Sequence, residues 1–176
     1  MVMRNVFIYI SFIVLFTGCE KTIYDLTDLN QVVIFQTEYI NHAWGFQHSG
    51  VFIDTLGNAR SYSLPNSWNL PDEDSYISKS DLQENYSKAV DIQCFVEEDE
   101  IIYYFNKLYQ AQFGSLTDPK HVAADAGSTS YFGYLYNSKK DMYKQVLLRQ
   151  NGDVLIENKS SGAKQIYDWL RNLCKD

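Results

Sequence analysis

The chain of 176 residues carries 15 Lys and Arg against 22 Asp and Glu, a formal net charge of -7, and 45% hydrophobic residues. This balance excludes a disordered or collagen-like chain, three cysteines are too few for a disulfide-dense scaffold, and the acidic charge argues against a nucleic-acid partner. The length suits one domain.

The chain opens with a segment typical of an export signal. One cation, Arg4, precedes an apolar run over residues 6–16. A run of this length is typical of a signal-peptide core and is too short to span a bilayer, which takes about 20 residues. Thr17, Gly18 and Cys19 follow, so that a small residue stands directly before a cysteine.

This junction resembles the lipobox of bacterial lipoproteins, although Phe16 stands where that class usually has leucine. The resemblance implies that residues 1–18 are removed and that Cys19 is acylated on its thiol and amine. Residues 19–30, in which charged residues mix with few apolar ones after Cys19, are predicted to form a tether. Several acyl chains anchor a protein stably, so membrane lipid is the expected partner of Cys19. Glu20, in place of the aspartate that retains enteric lipoproteins in the inner membrane, favours the outer membrane. The alternatives are an ordinary cleaved signal and an uncleaved anchor in which Cys19 is incidental.

The first half of the mature chain begins with strands. Residues 32–40 are β-branched and aromatic and predict a strand. Residues 44–46 and 50–53 continue in extended style, and residues 59–64 follow a turn as a third strand. Ser80 begins a capping-box sequence for a helix, and a longer helix is predicted to start in the acidic run 97–100. Its apolar stripe comprises Ile101, Tyr104, Phe105, Leu108 and Ala111.

The second half repeats the order of strands and then a helix. Strands are predicted over residues 128–136, 143–150 and 154–156, the last two joined by an Asn151-Gly152 turn. A last helix follows, capped by Ser160 or Ser161, with an apolar face of Ala163, Ile166, Tyr167, Leu170 and Leu173.

These elements predict an α+β fold with antiparallel sheet in the order βββ-αα-βββ-α, a single globular domain over residues 31–176, and helices on one face. Either one six-stranded sheet or two smaller layers satisfies this order. The stretches 44–58 and 152–170 are similar to small uncharacterised bacterial lipoproteins of the Bacteroidota type, a resemblance that implies no particular activity.

Two cysteines remain in an oxidising compartment once Cys19 is assigned to the anchor. A Cys94–Cys174 disulfide would close a loop of about 80 residues and contribute about 4.5 kcal/mol in the chain-entropy model. The alternative is two small buried side chains that never meet.

The three histidines show no metal-site spacing, and no cofactor is expected. His42 and His48 lie about 20 Å apart if they share one straight strand, which is too far for a common metal and favours polar positions on a half-exposed strand. His121, Asp125 and Ser128 have the residue types of a nucleophilic triad, but triads are normally assembled from distant segments. They are weak catalytic candidates. The 13-residue loop 115–127 contains His121 and Asp125 and ends directly before Ser128, and it is either a binding loop or a crossover between layers.

The aromatic content, with 14 Tyr, 10 Phe and 3 Trp, is the remaining signal. Aromatic side chains offer contact area, and tyrosine and tryptophan add a hydrogen-bonding tip, which suits a protein or glycan partner; strand propensity explains many of them equally well. The binding candidates are Trp44, His48, Trp68, Tyr131 and Tyr134. In a predicted turn, Asp54-Thr55-Leu56 resembles the acceptor triplet of Bacteroidota O-glycosylation.

The leading hypothesis is a lipid-anchored extracytoplasmic binding or interaction protein in the cell envelope, with an envelope protein or glycan as partner. A small envelope hydrolase built around His121 or His48 is the second hypothesis, and it requires a histidine, a carboxylate and a nucleophile within about 3 Å of one another. A lipid-anchored inhibitor or immunity protein for a basic target is the third.

Overall fold

The computed structural model describes residues 31–174, which form nine strands and three helices. The predicted signal peptide at 1–18, the lipidation of Cys19 and the tether at 19–30 lie outside the described residues. In chain order the elements are β1 Val33–Asn41, β2 Gln47–Asp54, β3 Asn58–Ser63, β4 Tyr76–Ser78, α1 Lys79–Ser87, β5 Val90–Phe95, α2 Glu98–Ala111, β6 Lys120–His121, β7 Ser128–Asn137, β8 Met142–Gly152, β9 Val154–Glu157 and α3 Ser161–Leu170.

All strands of the described region belong to one antiparallel sheet with the order β5-β3-β2-β1-β7-β8-β9-β6, and β4 pairs with the beginning of β8. The predicted α+β class with antiparallel strands is confirmed. The two predicted groups of strands join through the β1–β7 pair into a single sheet. Strands β4, β5 and β6 were not among the six predicted; β4 and β6 have three and two residues, too few for a recognisable alternation.

Both faces of the sheet are apolar at its centre, so each face needs a cover. Phe52 and Ile53 are both buried, although neighbouring side chains in a strand point to opposite faces. Helices α2 and α3 pack on the face of Ile53, through Phe105 and Ile166, whereas α1 packs on the face of Phe52, through Leu82. The expectation that all helices lie on one face is therefore wrong, because a helix's own periodicity does not reveal which sheet face it covers.

The helices begin near the predicted capping residues, and only the cap of α1 differs from the prediction. Ser78, and not Ser80, caps α1, since the Ser78 hydroxyl accepts a hydrogen bond from the backbone N–H of Asp81 at 3.1 Å. Helix α2 begins in the predicted acidic run. At α3 the Ser160 hydroxyl accepts from the backbone N–H of Gly162 at 3.2 Å.

The last hairpin turns one residue later than predicted. Asn151 and Gly152 still pair with Thr129 and Ser128 of β7, and the chain reverses at Asp153. Gly152 has a φ of 120°, which glycine adopts without strain. This extension of β8 brings Asp153 to the loop that precedes β7.

A disulfide joins Cys94 of the edge strand β5 to Cys174 beyond α3, with the two Cα atoms 5.5 Å apart. The two cysteines are therefore bonded, and the alternative of two buried side chains that never meet is wrong. The bond fastens one edge of the sheet to the end of the last helix.

Candidate functional site

A cleft of about 630 Å³ opens where β1 ends, on the sheet face that also carries α1. Its walls come from β1 and the following turn, from the loop before β7, and from β7 and β8. Strand β1 spans nine residues, so the cleft lies about 25 Å from the end of β1 at which the described chain enters the fold.

The strand register explains why polar side chains converge in the cleft. Glu38 of β1 lies opposite Ser130 of β7, and Ile40 lies opposite Ser128. Ser130 in turn lies opposite Gln150 of β8. Because directly opposed residues of an antiparallel pair point to the same face, these five side chains line one surface.

Glu38 is the best-supported polar group of the cleft. Its Oε1 accepts hydrogen bonds from His48 Nε2 at 2.9 Å, from Gln36 Nε2 at 3.3 Å and from the Tyr62 hydroxyl at 3.5 Å. The Glu38 side chain retains 12% exposure and contributes to the cleft wall, and no described residue donates a hydrogen bond to its Oε2. The protein thus fixes the carboxylate through Oε1, and Oε2 can still accept hydrogen bonds from a ligand.

Gly50 makes this arrangement sterically feasible. It lies on β2 between Glu38 of β1 and Tyr62 of β3, with which it is paired on either side. A Cβ atom at Gly50 would overlap the hydroxyl end of Tyr62 and the carbonyl oxygen of Thr37. Glycine therefore lets the Tyr62 phenol cross over β2 and reach the β1 side chains.

The polar contacts continue inward from Glu38 across the sheet. Gln36 Nε2 donates to the Tyr62 hydroxyl at 2.7 Å, the Tyr134 hydroxyl donates to Gln36 Oε1, and Gln145 Nε2 donates to the Tyr134 hydroxyl at 2.9 Å. Burial raises the pKa of both Tyr62 and Tyr134 well above the usual value, and the negative charge of Glu38 adds to both increases. Both phenols therefore remain protonated hydrogen-bond donors at neutral pH.

An aromatic group fixes the imidazole of His48. The centroid of the His48 ring lies 4.8 Å from that of Trp68 and 5.3 Å from that of Tyr62, both in edge-to-face arrangement. Trp68 also stacks on Phe52 at 5.8 Å. His48 is only 4% exposed, so it supports Glu38 from behind and does not itself face the cleft.

The opposite wall is built around Asp153. Its carboxylate accepts from the backbone N–H groups of Ala126 at 2.9 Å and Gly127 at 3.1 Å. The Asn41 side chain donates to the carbonyl of Asp125 at 3.3 Å. These bonds connect the last part of the 115–127 loop to the β8–β9 turn and to β1, so this part of the loop forms a wall of the cleft.

The cleft is acidic. Glu38, Asp125 and Asp153 line it, and none of the described residues that line it is lysine or arginine. Negative charge in a concave, partly desolvated site favours neutral or positively charged ligands over anions.

The five predicted binding candidates separate into four environments. Trp44 is 77% exposed in the turn between β1 and β2, and Trp68 is half-buried beside His48. His48 and Tyr134 belong to the buried polar contacts behind the cleft. Tyr131 is buried on the opposite sheet face, where its ring packs edge-on against that of Tyr167.

The three catalytic candidates do not form a hydrogen-bonded triad within the described chain. Asp125 and Ser128 both line the cleft. His121 lies on β6, is exposed, pairs with Val154 of β9 and does not line the cleft. The structure therefore brings two of the three together and leaves the histidine outside.

The Asp54-Thr55-Leu56 triplet begins with the last residue of β2 and continues into the predicted turn before β3. Asp54 is 5% exposed and accepts hydrogen bonds from the backbone N–H groups of Leu56 and Asn58 and from the Tyr86 hydroxyl at 2.8 Å. This aspartate thus has a structural role in closing the turn.

The residues at the centre of the site were not identified from the sequence: Gln36, Glu38, Gly50 and Tyr62. One signal was available: Gln36 and Glu38 are polar residues two apart in a strand that is otherwise mostly β-branched and aromatic, which places them on one face. Their partners on β2 and β3 depend on the strand order and could not be identified from the sequence.

Comparison with known proteins finds no matching family model, no matching curated protein and no matching solved structure. Within residues 31–174, none of the helices has the length and apolar character required to cross a membrane. The same part of the chain contains no group of three or more His, Cys, Asp or Glu side chains arranged to hold a metal ion.

Proposed function

We propose that the protein is a lipid-anchored, extracytoplasmic binding protein of the cell envelope, attached to the outer membrane through acylated Cys19, and that the cleft beside Glu38 is its ligand site. The observation that carries the proposal is the Glu38 carboxylate, which His48, Gln36 and Tyr62 hold through one oxygen while the other takes no bond from a described residue. A polar group fixed in advance loses little freedom on binding, which is the usual design of a recognition site.

The position of the cleft agrees with an N-terminal anchor. The described chain enters the fold at the start of β1, and the cleft lies at the other end of that strand, about 25 Å away. A domain tethered through its first residues would therefore present the cleft away from the attachment point.

The binding site is tested on the full chain extracted from membranes in detergent. Ligand-observed NMR with a library of neutral sugars, amines and carboxylates is expected to identify compounds that bind wild-type protein and lose binding in Ser128→Trp, which fills the cleft. Asp168→Asn, on exposed α3 surface, is the matched control. A library without hits, or hits that persist in Ser128→Trp, would contradict the proposed site.

The anchor is tested separately, since Cys19 lies outside the described residues. Wild-type protein should sediment with membranes, and Cys19→Ala should remain in the soluble fraction of the same cells. A Cys19→Ala protein that still partitions with membranes would contradict lipidation as the means of attachment.

A small hydrolase is the second candidate, and the 2.9 Å His48–Glu38 contact beside a cleft favours it. Glu38 would act as a general base on water, because it stands between the imidazole and the cleft. Among the described residues, no serine, threonine or cysteine hydrogen-bonds to His48 as an activated nucleophile would, which ranks this candidate second. Hydrolysis of nitrophenyl esters or glycosides by wild-type protein, with loss in Glu38→Gln, would establish it.

A further inference from the structure

We propose that the ligand of the cleft is a short uncharged saccharide, an inference that rests on the proposed binding function. Three properties of the described cleft residues support it: the sign of the charge, the mixed donor and acceptor character of the polar side chains, and the apolar surface between them.

The charge of the lining argues against anionic ligands. Glu38, Asp125 and Asp153 are three acidic residues of the described lining, which contains one histidine, His42, and no lysine or arginine. A phosphate, sulfate or carboxylate group would enter against these charges in a partly desolvated space. The charge of the lining therefore disfavours acidic and phosphorylated sugars together with other anions.

The hydrogen-bonding pattern favours hydroxyl groups over amines. Ser128, Ser130 and Gln150 each both donate and accept, and the contacts among them are long, 3.4 Å from Ser130 to Gln150 and 3.5 Å from Gln150 to Ser128. Such weak contacts are readily exchanged for bonds to a ligand. A sugar hydroxyl donates to a carboxylate such as Glu38 and accepts from a neighbouring hydroxyl or amide, whereas an ammonium group only donates and would leave the serine and glutamine donors without partners.

Apolar surface lies between these polar groups. Phe132 and Ile40 contribute to the lining, and the turn that forms one rim carries the exposed rings of Trp44 and Phe46. A sugar ring presents apolar C–H groups on its faces and hydroxyls around its edge, and this combination matches apolar side chains flanked by Glu38 and the serines. The cleft volume of about 630 Å³ is within the usual range of small-molecule sites.

The test uses the full chain in detergent on an array of neutral, sialylated and sulfated glycans, with spermidine and lysine peptides as amine probes in solution. We expect binding to neutral glycans only. Glu38→Gln should weaken it about tenfold or more, since the variant replaces a charged acceptor with a neutral amide. Ser128→Trp should abolish binding, and the surface variant Asp168→Asn should leave it unchanged. Gln150→Ala is a second cleft variant if Ser128→Trp does not fold.

The outcomes separate the ligand class from the binding function. Amines, or sialylated or sulfated glycans, that bind wild-type protein and lose binding in Ser128→Trp would overturn the assignment of an uncharged saccharide and leave the cleft as the binding site. Neutral glycans that bind equally well to Glu38→Gln and both cleft variants would overturn the assignment of the ligand to this cleft. The absence of binding to every probe class would overturn both proposals.

Discussion

Gly50→Ala is expected to destabilise the protein. A glycine-to-alanine change in the middle of an ordinary strand, by contrast, normally stabilises a protein. Replacing a strand glycine with alanine normally gains about 0.5–1 kcal/mol, because glycine loses more conformational freedom on folding. At Gly50 the new methyl group would overlap the hydroxyl end of Tyr62 and the backbone carbonyl of Thr37. The steric term therefore opposes the entropic term.

The structure gives the size of the steric term. Overpacking in a closely packed region costs about 1–3 kcal/mol. Displacement of Tyr62 would also break its 2.7 Å bond from Gln36 and its contact with Glu38, at about 1 kcal/mol for a buried hydrogen bond. After subtraction of the favourable entropy, Gly50→Ala should lower the free energy of unfolding by about 1–3.5 kcal/mol.

Urea unfolding measures this change, and a double-mutant cycle identifies its cause. Removal of the Tyr62 phenol in Tyr62→Leu relieves one of the two overlaps, so Gly50→Ala should cost less in that background than in wild-type protein. Gly50→Ala should also weaken ligand binding, because Glu38 loses a supporting donor. A neutral or stabilising Gly50→Ala, or an equal cost in both backgrounds, would refute the argument that the glycine is needed for the approach of Tyr62.

Three further predictions concern other parts of the fold. Cys94→Ser/Cys174→Ser should lower the free energy of unfolding by about 4.5 kcal/mol in the chain-entropy model, because the disulfide closes a loop between residues 80 positions apart. Urea unfolding with and without reductant measures this change, and the double variant should not respond to reductant. Asp54→Ala should lower the free energy of unfolding by about 3 kcal/mol or more, since two backbone N–H groups and the Tyr86 hydroxyl lose a charged acceptor. Thr55→Ala should leave it nearly unchanged in the same assay, and equal losses in the two variants would contradict the structural role of Asp54. Burial raises the folded-state pKa of Tyr62 and Tyr134, so the free energy of unfolding should be independent of tyrosine titration below about pH 10. Above that pH it should fall by about 1.4 kcal/mol per pH unit for each tyrosine that stays protonated only in the folded state. Tyr134→Phe should reduce the slope measured by urea unfolding between about pH 10 and 11, and an unchanged slope would contradict the assignment.

The sequence predicted those features that depend on local patterns. The acidic run before Ile101 and the apolar stripe that follows indicated α2, and the β-branched and aromatic residues after Val32 indicated β1. Features that depend on contacts between distant segments were not predictable. Strand β4 exists because three residues pair with β8, and the cover of the Phe52 face by α1 depends on how the chain crosses the sheet.

The candidate site shows the same division between local and distant information. His48 was singled out by its residue type, and its carboxylate partner Glu38 is ten residues away across a hairpin. Tyr62 joins them only because the strand order places β3 beside β2 and because Gly50 leaves space between them. The residue types were visible in the sequence, whereas the register that assembles them was not.

Chemical-shift mapping of isotope-labelled protein during titration with a neutral oligosaccharide locates the ligand on the fold and thereby decides whether the cleft binds it. We expect the largest shifts on residues of the cleft, including Glu38, Ser128, Ser130 and Gln150, and smaller shifts in Glu38→Gln. Shifts confined to the α2–α3 face, or a cleft that remains unperturbed at saturation, would contradict it.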